Sequence, residues 1–421
     1  MPDTFQLHEQ FIRPQYGSAC FSDLPQFITS VLVDGQGTAL KPSGFDQMPQ
    51  RYRHVVLFFV DAFGWRFFQP VRDRYPFLQH FDRAGSVTRL TSQFPSTTTA
   101  HATTIYTGLP VGQHGLFEWH IYEPSLDAMI IPLTFSFAGD KNPETLRATG
   151  ARPQDILPTQ TVSQALARQG VATYLFQYYG YAQSSYSSAM VQGGRAVPFK
   201  TLPEALVNLS RLLDRSRDPT FTCLYYGDID TILHDYGPGS PQVAAQIDAF
   251  LQMAWRWLQQ ELAAGRQDTL LLLTADHGQV NVYPETTVYL NHLPAFGRLE
   301  PWLRTNRHGQ LLVPPGGSSR DVFLYVHEAA VDDAQALLQS ALAGIAEVYR
   351  VSDLIDAGFF GPLPVSDAFL ARVGNLVILP YEGEAVWWYE KDRFEQKFYG
   401  QHGGLTPHEM EIPLLVLPFT G

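Results

Sequence analysis

Charge of one sign never gathers in this chain: no basic run occurs, none interleaves with aromatics, and 41 acidic against 29 basic residues leave a formal net charge of −12. That balance argues against a protein that tracks a nucleic-acid backbone. A small phosphorylated substrate stays compatible with it, because bound metal ions reverse the local field of a site. Cysteine is nearly absent. Cys20 and Cys223 are the only two, lie far apart and form no CxxC pair, so buried free thiols are expected, with a disulfide between them as the alternative. Long apolar runs are missing too: nothing reaches about 18 residues, and Met1 to Gln10 carries no basic segment followed by an apolar stretch. The expectation is a cytoplasmic protein without a membrane partner. Neither an internal repeat nor a low-complexity tract is evident. What the 421 residues do contain is 45% apolar and 13% aromatic side chains, enough for a large folded α/β core with a smaller inserted domain.

From His54 onward, apolar strand-like runs alternate with helical patterns. His54 to Val60, Val171 to Phe176, Phe221 to Tyr226 and Leu270 to Leu273 read as strands; Thr161 to Gln169 and Val243 to Leu262 read as helices. The alternation predicts an α/β fold, a mainly parallel sheet flanked by helices. Residues 1–49, punctuated by Pro, Gly and Ser around one helix-like stretch, Leu24 to Leu32, are expected as an extension packed on that core. The pattern changes over residues 285–373, where Asp321 to Val326 (strand), Val331 to Leu342 (helix) and Glu347 to Val351 (strand) suggest a small α+β insertion. The core is expected to span 50–284 and 374–421, resuming with Leu376 to Leu379 and closing with Ile412 to Leu417.

Short punctuated loops at the ends of these runs carry the chemistry. Asp276, His277 and Gly278 follow a buried strand, which puts two metal-capable side chains where open α/β sheets keep their ligand crevice. Asp61 ends another strand, and Asp228 and Asp230 follow a third. Asp230 and His234, four apart, share one side of a helical turn, as two ligands of one divalent ion would. Ser96, Thr97, Thr98 and Thr99 follow Pro95 and open a helix ending at Gly108; hydroxyls and free N–H groups there favour an anion such as phosphate. Any one of these hydroxyls taken alone reads better as a helix cap. His402 lies among Gly400, Gly403 and Gly404, which let the backbone turn tightly.

In their order along the chain these elements resemble the alkaline phosphatase superfamily, and within it the type I phosphodiesterase/nucleotide pyrophosphatase branch. The resemblance rests on Asp61, on Pro95 to Thr98 with Thr107-Gly108-Leu109 and His114-Gly115 downstream, on Asp230 to Pro238, on Asp276-His277-Gly278 and on His402-Gly403. It implies a metal-dependent phosphoric ester hydrolase with two divalent ions. Asp230, His234 and His402 would hold one ion, and Asp61, Asp276 and His277 the other, with Thr98 as the nucleophile beside the second. Histidine and carboxylate ligands without thiolate suit zinc first and manganese second. Asp228 and Asp235 are read as supporting or solvated acids.

This sequence departs from the family pattern in places. Thr99 stands where the nucleotide pyrophosphatases carry an aromatic that stacks on the base, and Trp119 stands where they carry an asparagine that holds a phosphoryl oxygen. Trp119 can still donate through its indole N–H, and Tyr178 and Tyr179 open a Tyr/Ser-rich stretch, reaching to Ser188, able to supply replacement aromatics. The implied function is hydrolysis of phosphodiester or pyrophosphate bonds through a phospho-threonine. The alternatives are a phosphomonoesterase or phosphonate hydrolase, and a retired metal- or phosphate-binding interaction protein. A sulfatase is disfavoured, since neither cysteine begins a C-x-P-x-R element.

Overall fold

The computed structural model describes residues 5–33 and 37–419. Residues 1–4 of the stretch read for a leader, and 34–36 of the N-terminal extension, lie outside them. His54–Val60 is buried along its whole length because both its neighbours are parallel strands, Thr220–Tyr226 on one side and Thr269–Thr274 on the other. A strand covered on both faces needs apolar residues at every position, which is why these runs do not alternate with polar residues. Across the seven-stranded sheet the order is Ser86–Thr91, Glu411–Phe419, Thr269–Thr274, His54–Val60, Thr220–Tyr226, Ala172–Tyr178 and Arg195–Phe199. Glu411–Phe419 runs antiparallel to both its neighbours, and the remaining pairings are parallel. The parallel strands point their carboxyl ends to one edge. Asp61, Asp230 and Asp276 leave the sheet there.

The expected helix Leu24–Leu32 is present, and Phe21, Leu24, Phe27 and Ile28 of the N-terminal extension join the main core. Cys20 and Cys223 are both buried and free. No helix among the described residues is long and apolar enough to cross a membrane. A four-stranded antiparallel sheet lies beside the main one, in the order Gly316–Ser318, Asp321–Leu324, Leu376–Pro380, Ala346–Arg350, with the helix Val331–Ala341 and a separate apolar cluster. Leu376–Pro380 therefore does not resume the large sheet, as its apolar run suggested. It pairs through Ile378 with Val322 and Val348, so the small unit passes the expected boundary at 373. A short, wholly buried strand reads the same in either sheet, and only its partners decide. A third sheet, Ile121–Glu123, Ala128–Ile131 and Ser136–Phe137, was not anticipated.

Candidate active site

Turn geometry at the sheet edge fixes where each acid goes. Asp61 is followed by Ala62 in the left-handed region (φ 59), whose N–H donates to Asp276 Oδ1 at 3.0 Å, so the turn after one strand grips the acid after another. A non-glycine residue held that way costs of order 1–3 kcal/mol and persists only where its surroundings over-determine it. Gly278 is required by close approach: a Cβ there would lie 2.2 Å from the His408 carbonyl oxygen. Just beyond, Val280–Asn281 pairs with Gly400–Gln401, and this short ladder brings His402 beside His277. Their rings stack with centroids 3.7 Å apart at 13°.

The histidines are oriented by one device. Nδ1 of His234, His277 and His402 faces the backbone carbonyls of Gly400, Gly278 and Ser96 at 2.8, 3.0 and 2.9 Å. With Nδ1–H donating, each Nε2 keeps a free lone pair, the arrangement that metal-ligating histidines use. His277 Nε2 lies 3.6 Å from Asp61 Oδ1 and 3.5 Å from Asp276 Oδ2. His234 Nε2 lies 3.4 Å from Asp230 Oδ2, and His402 Nε2 lies 3.8 Å from Asp230 Oδ1. Ligand-capable atoms of Asp61, Asp276 and His277 fall within 4.8 Å of one another, and so do those of Asp230, His277 and His402. His277 thus stands between the groups, while His234 approaches Asp230 from the helix Asp228–Tyr236. Asp228 and Asp235 on that helix are exposed.

Electrostatics and unmet bonding both call for a cation here. Burial, with Asp276 and Asp230 adding to it, raises the Asp61 carboxyl well above its ordinary range, and burial pushes Asp276 up to about 7. Burial also lowers His402 to about 4 and His277 well below its usual value. Asp230 runs the other way: burial raises it, but His234, His402 and His277 together outweigh that and leave it low. Asp276 Oδ2 is buried without a hydrogen-bond partner. Burial at His234 is outweighed by Asp230, which raises that ring instead, so the neutral imidazoles are those of His277 and His402; with crowded carboxylates and an orphaned oxygen they make a donor set that fits divalent metal.

Thr98 begins the helix Thr98–Thr107, with Gly108 (φ 75) terminating it as expected. Its Oγ1 lies 3.3 Å from His277 Nε2 and 3.4 Å from Asp61 Oδ2. The neighbouring hydroxyls serve elsewhere: Ser96 Oγ donates to the Gly404 carbonyl at 2.8 Å and accepts from Gly403 N–H at 3.2 Å, tying the helix start to the His402 loop. Thr99 is wholly buried. Sequence reasoning missed two supporting groups. Tyr225 O–H donates to Asp61, and Gln279 Nε2 donates to Asp230 Oδ1 at 2.5 Å. The only signal for them was their place beside the motifs.

Two cavities meet at Thr98, Trp119 and Asp230. The larger, about 500 Å³, is bordered by Glu118, His234, Trp387, Phe394 and His402; the smaller, about 260 Å³, by Asp61, Tyr106, Tyr181, Tyr186 and Tyr225. Trp119 borders both and is 40% exposed. Tyr178 and Tyr179 line neither cavity; both are exposed, and Lys200 sits over the Tyr179 ring. Tyr181 and Tyr186, from the same stretch, line the smaller cavity instead.

Behind the His402 loop, Arg320 and Glu409 form a fully buried ion pair with Nε–Oε1 at 2.9 Å. Glu409 also accepts from the N–H groups of Gly404 and Thr406 and from the Thr406 hydroxyl. Burial raises the Glu409 carboxyl, but Arg320 outweighs it and leaves the group below its ordinary value. Removing one partner leaves a buried charge, so Arg320→Met is expected to cost about 3–5 kcal/mol in urea unfolding at neutral pH. A carboxylate lowered in the folded state stabilises above its unfolded pKa and loses that as the pH falls through the folded one, so the cost shrinks in acid.

Residues 55–405 match the family model for type I phosphodiesterase / nucleotide pyrophosphatase. Venom phosphodiesterase 2 of Crotalus adamanteus is 26% identical over 275 residues, 62% of this chain and 31% of that relative. A venom phosphodiesterase of Naja atra is 26% identical over 247 residues, covering 56% of this chain and 27% of the relative. The matches thus span about a third of those relatives' length. Among solved structures, murine ectonucleotide pyrophosphatase / phosphodiesterase 5, an inactive form in complex with AMP, superposes with a TM-score of 0.62 at 19% identity, over 87% of this chain and 88% of its own. Phosphonoacetate hydrolase from Sinorhizobium meliloti 1021 with bound phosphonoacetate gives 0.61 at 18%, over 88% and 92%. Those likenesses establish the alkaline-phosphatase-type fold. With the family match covering most of the chain, the protein belongs to the type I phosphodiesterase / nucleotide pyrophosphatase family.

Proposed function

We propose that this chain cleaves phosphodiester or pyrophosphate bonds of small phosphorylated substrates with Thr98 as the nucleophile. The observation that carries the reading is the position of Thr98 Oγ1, at a helix N-terminus, where the two cavities meet and within 3.5 Å of both His277 and Asp61. Asp230, His234 and His402 would hold one divalent ion and Asp61, Asp276 and His277 the other, with zinc favoured by the donor set. Bound there, the ions supply Lewis acidity and lower the pKa of a coordinated hydroxyl. The chain's own groups then do the rest. Thr98 gives up its hydroxyl proton to water and its Oγ forms a bond to phosphorus as the bond to the leaving oxygen breaks; the leaving oxygen takes a proton from water, and a second water hydrolyses the phospho-threonine, with a proton returning to Oγ to restore the hydroxyl. First-turn N–H groups of the Thr98 helix lack intrahelical acceptors and favour the anion. Tyr225 holds Asp61 in place.

The tyrosine-lined cavity suits an apolar or aromatic substituent on the phosphorus. Lys141 and Arg393 border the larger cavity, alongside Asp140, Asp392 and Glu395, and suit a second anionic group such as the far phosphate of a pyrophosphate or the acid of a phosphonate. A phosphonate hydrolase is therefore the second reading, and parallel assays with a diester, a monoester and a phosphonate decide between them. A retired binding protein has no need of Thr98 in this position. The cytoplasmic expectation gains no support from relatives named as venom enzymes. Base stacking is worth about 1–3 kcal/mol, so Tyr181→Ala is expected to lower kcat/KM for a nucleoside monophosphate aryl ester about tenfold. A methyl aryl diester with the same leaving group should be affected much less. Equal losses on both substrates would remove Tyr181 from base recognition.

A further inference from the structure

Thr98 opens a helix whose start is not closed by a side-chain cap. Thr97 stands at the N-cap, and its side chain makes no capping hydrogen bond to the first turn. That leaves first-turn N–H groups free for an anion, but it also removes the contact that ordinarily fixes where a helix begins. A side chain one turn further on supplies another. His101 is wholly buried, with the Phe21 ring edge-on at 4.7 Å. Its Nδ1 lies 2.7 Å from the Thr97 carbonyl oxygen, which also accepts the His101 backbone N–H at 3.2 Å. On the other side of the ring, Nε2 accepts from the Gln93 N–H at 3.1 Å. A carbonyl facing one nitrogen and an N–H facing the other fix the tautomer, so the proton sits on Nδ1. The segment gripped in this way is itself fastened. Ser92 N–H donates to the Met410 carbonyl at 2.6 Å, and Ser92 Oγ lies 2.7 Å from the Asp276 carbonyl and 2.8 Å from His101 Nε2, its one proton reaching one of the two at a time. The buried Gln93 side chain donates to Thr104 Oγ1 at 2.8 Å and accepts from the Val111 N–H at 3.2 Å. One face of the Thr98 helix is thus tied at two successive turns to a segment that abuts Asp276.

We propose that His101 is a positioning residue for the reaction: gripping the Thr97 carbonyl with Nδ1–H and the Gln93 N–H with Nε2, it sets the Thr97–Thr98 peptide, and with it the Thr98 hydroxyl, at a fixed place relative to Asp276 and His277. The peptide is planar and trans, so pinning its oxygen fixes the direction of the Thr98 N–H and the origin of the Thr98 side chain together. Displacing a reacting group by about 1 Å costs on the order of 100-fold in rate. His101 lines neither cavity, so its effect belongs to the chemical step and not to the binding of substrate.

This role rests on Thr98 as the nucleophile, and its test separates the two. Zinc-reconstituted His101→Leu keeps an apolar side chain in the buried site but neither hydrogen bond. It should lower kcat on a chromogenic phosphodiester about ten- to a hundredfold, with KM within about twofold of wild type and metal content unchanged. His101→Asn carries an amide donor where Nδ1 stands and should recover most of that loss, whereas His101→Gln carries its amide where Nε2 stands and should not. Rapid acid quench with radiolabelled substrate should label the Thr98 peptide in every variant, more slowly in His101→Leu and His101→Gln than in His101→Asn. Equal labelling rates in His101→Asn and His101→Gln, or a rise in KM at unchanged kcat, would overturn the positioning role. That comparison of two amides decides even if His101→Leu fails to fold. Label missing from the Thr98 peptide of wild type would instead overturn the Thr98 reading, and this role with it.

Discussion

Thr98→Ala is expected to lower turnover of a chromogenic phosphodiester by about three to five powers of ten while fold and metal content are preserved. The size follows from what the residue supplies: the nucleophile is lost, while the electrostatic framework that stabilises the transition state remains. The side chain is small and sits at the first position of its helix, with the neighbouring Thr97 left to serve as N-cap, so removing Oγ1 disturbs little else. Single-turnover assays with radiolabelled substrate supply the second arm. Wild type should trap label on the Thr98 peptide after acid quench, and the variant should not. Ser96→Ala is the control, since Ser96 Oγ is engaged with Gly404 and Gly403. Loss of labelling in Ser96→Ala with retention in Thr98→Ala would reverse the assignment.

Metal removal is expected to be as damaging. Protein prepared without chelator should carry about two first-row divalent ions per chain, and chelation should abolish activity until zinc or manganese is restored. His402→Ala is the informative variant. Its ring stacks on His277 and its Nε2 faces Asp230, so the ion nearest Asp230 should bind at least about 10- to 100-fold more weakly, a loss that even outer partners of a ligand can cause. The ion between Asp61 and Asp276 should be retained, though perturbed through the shared His277. Calorimetric titration of the apo protein reads both events without any turnover. Finding no bound metal after zinc reconstitution of wild type would sink the two-ion reading.

Much of the architecture was legible because both-face burial writes itself as uninterrupted apolar runs. His54–Val60, Thr269–Thr274 and Thr220–Tyr226 announced themselves, and so did the acids that terminate them. Leu376–Pro380 was misplaced because its five buried residues are equally at home in either sheet; its register with Val322 lies more than fifty residues away in sequence. The replacement aromatics were sought at Tyr178 and Tyr179, but facing depends on where the turn at Tyr181 and the helix Ser185–Met190 begin.

The strand Glu411–Phe419 has a consequence for how the protein is made. It wedges between Ser86–Thr91 and Thr269–Thr274, joining strands that would otherwise share no partner. Until it has left the ribosome, the sheet carries two unsatisfied edges with their backbone groups exposed, and the His402 loop just before it is not in place. Assembly must wait on these late, long-range pairings, which makes folding slow and exposes the nascent chain to association with other chains meanwhile. Holdase chaperones acting on the unfinished chain should therefore raise the yield of folded protein more than any cofactor added after synthesis.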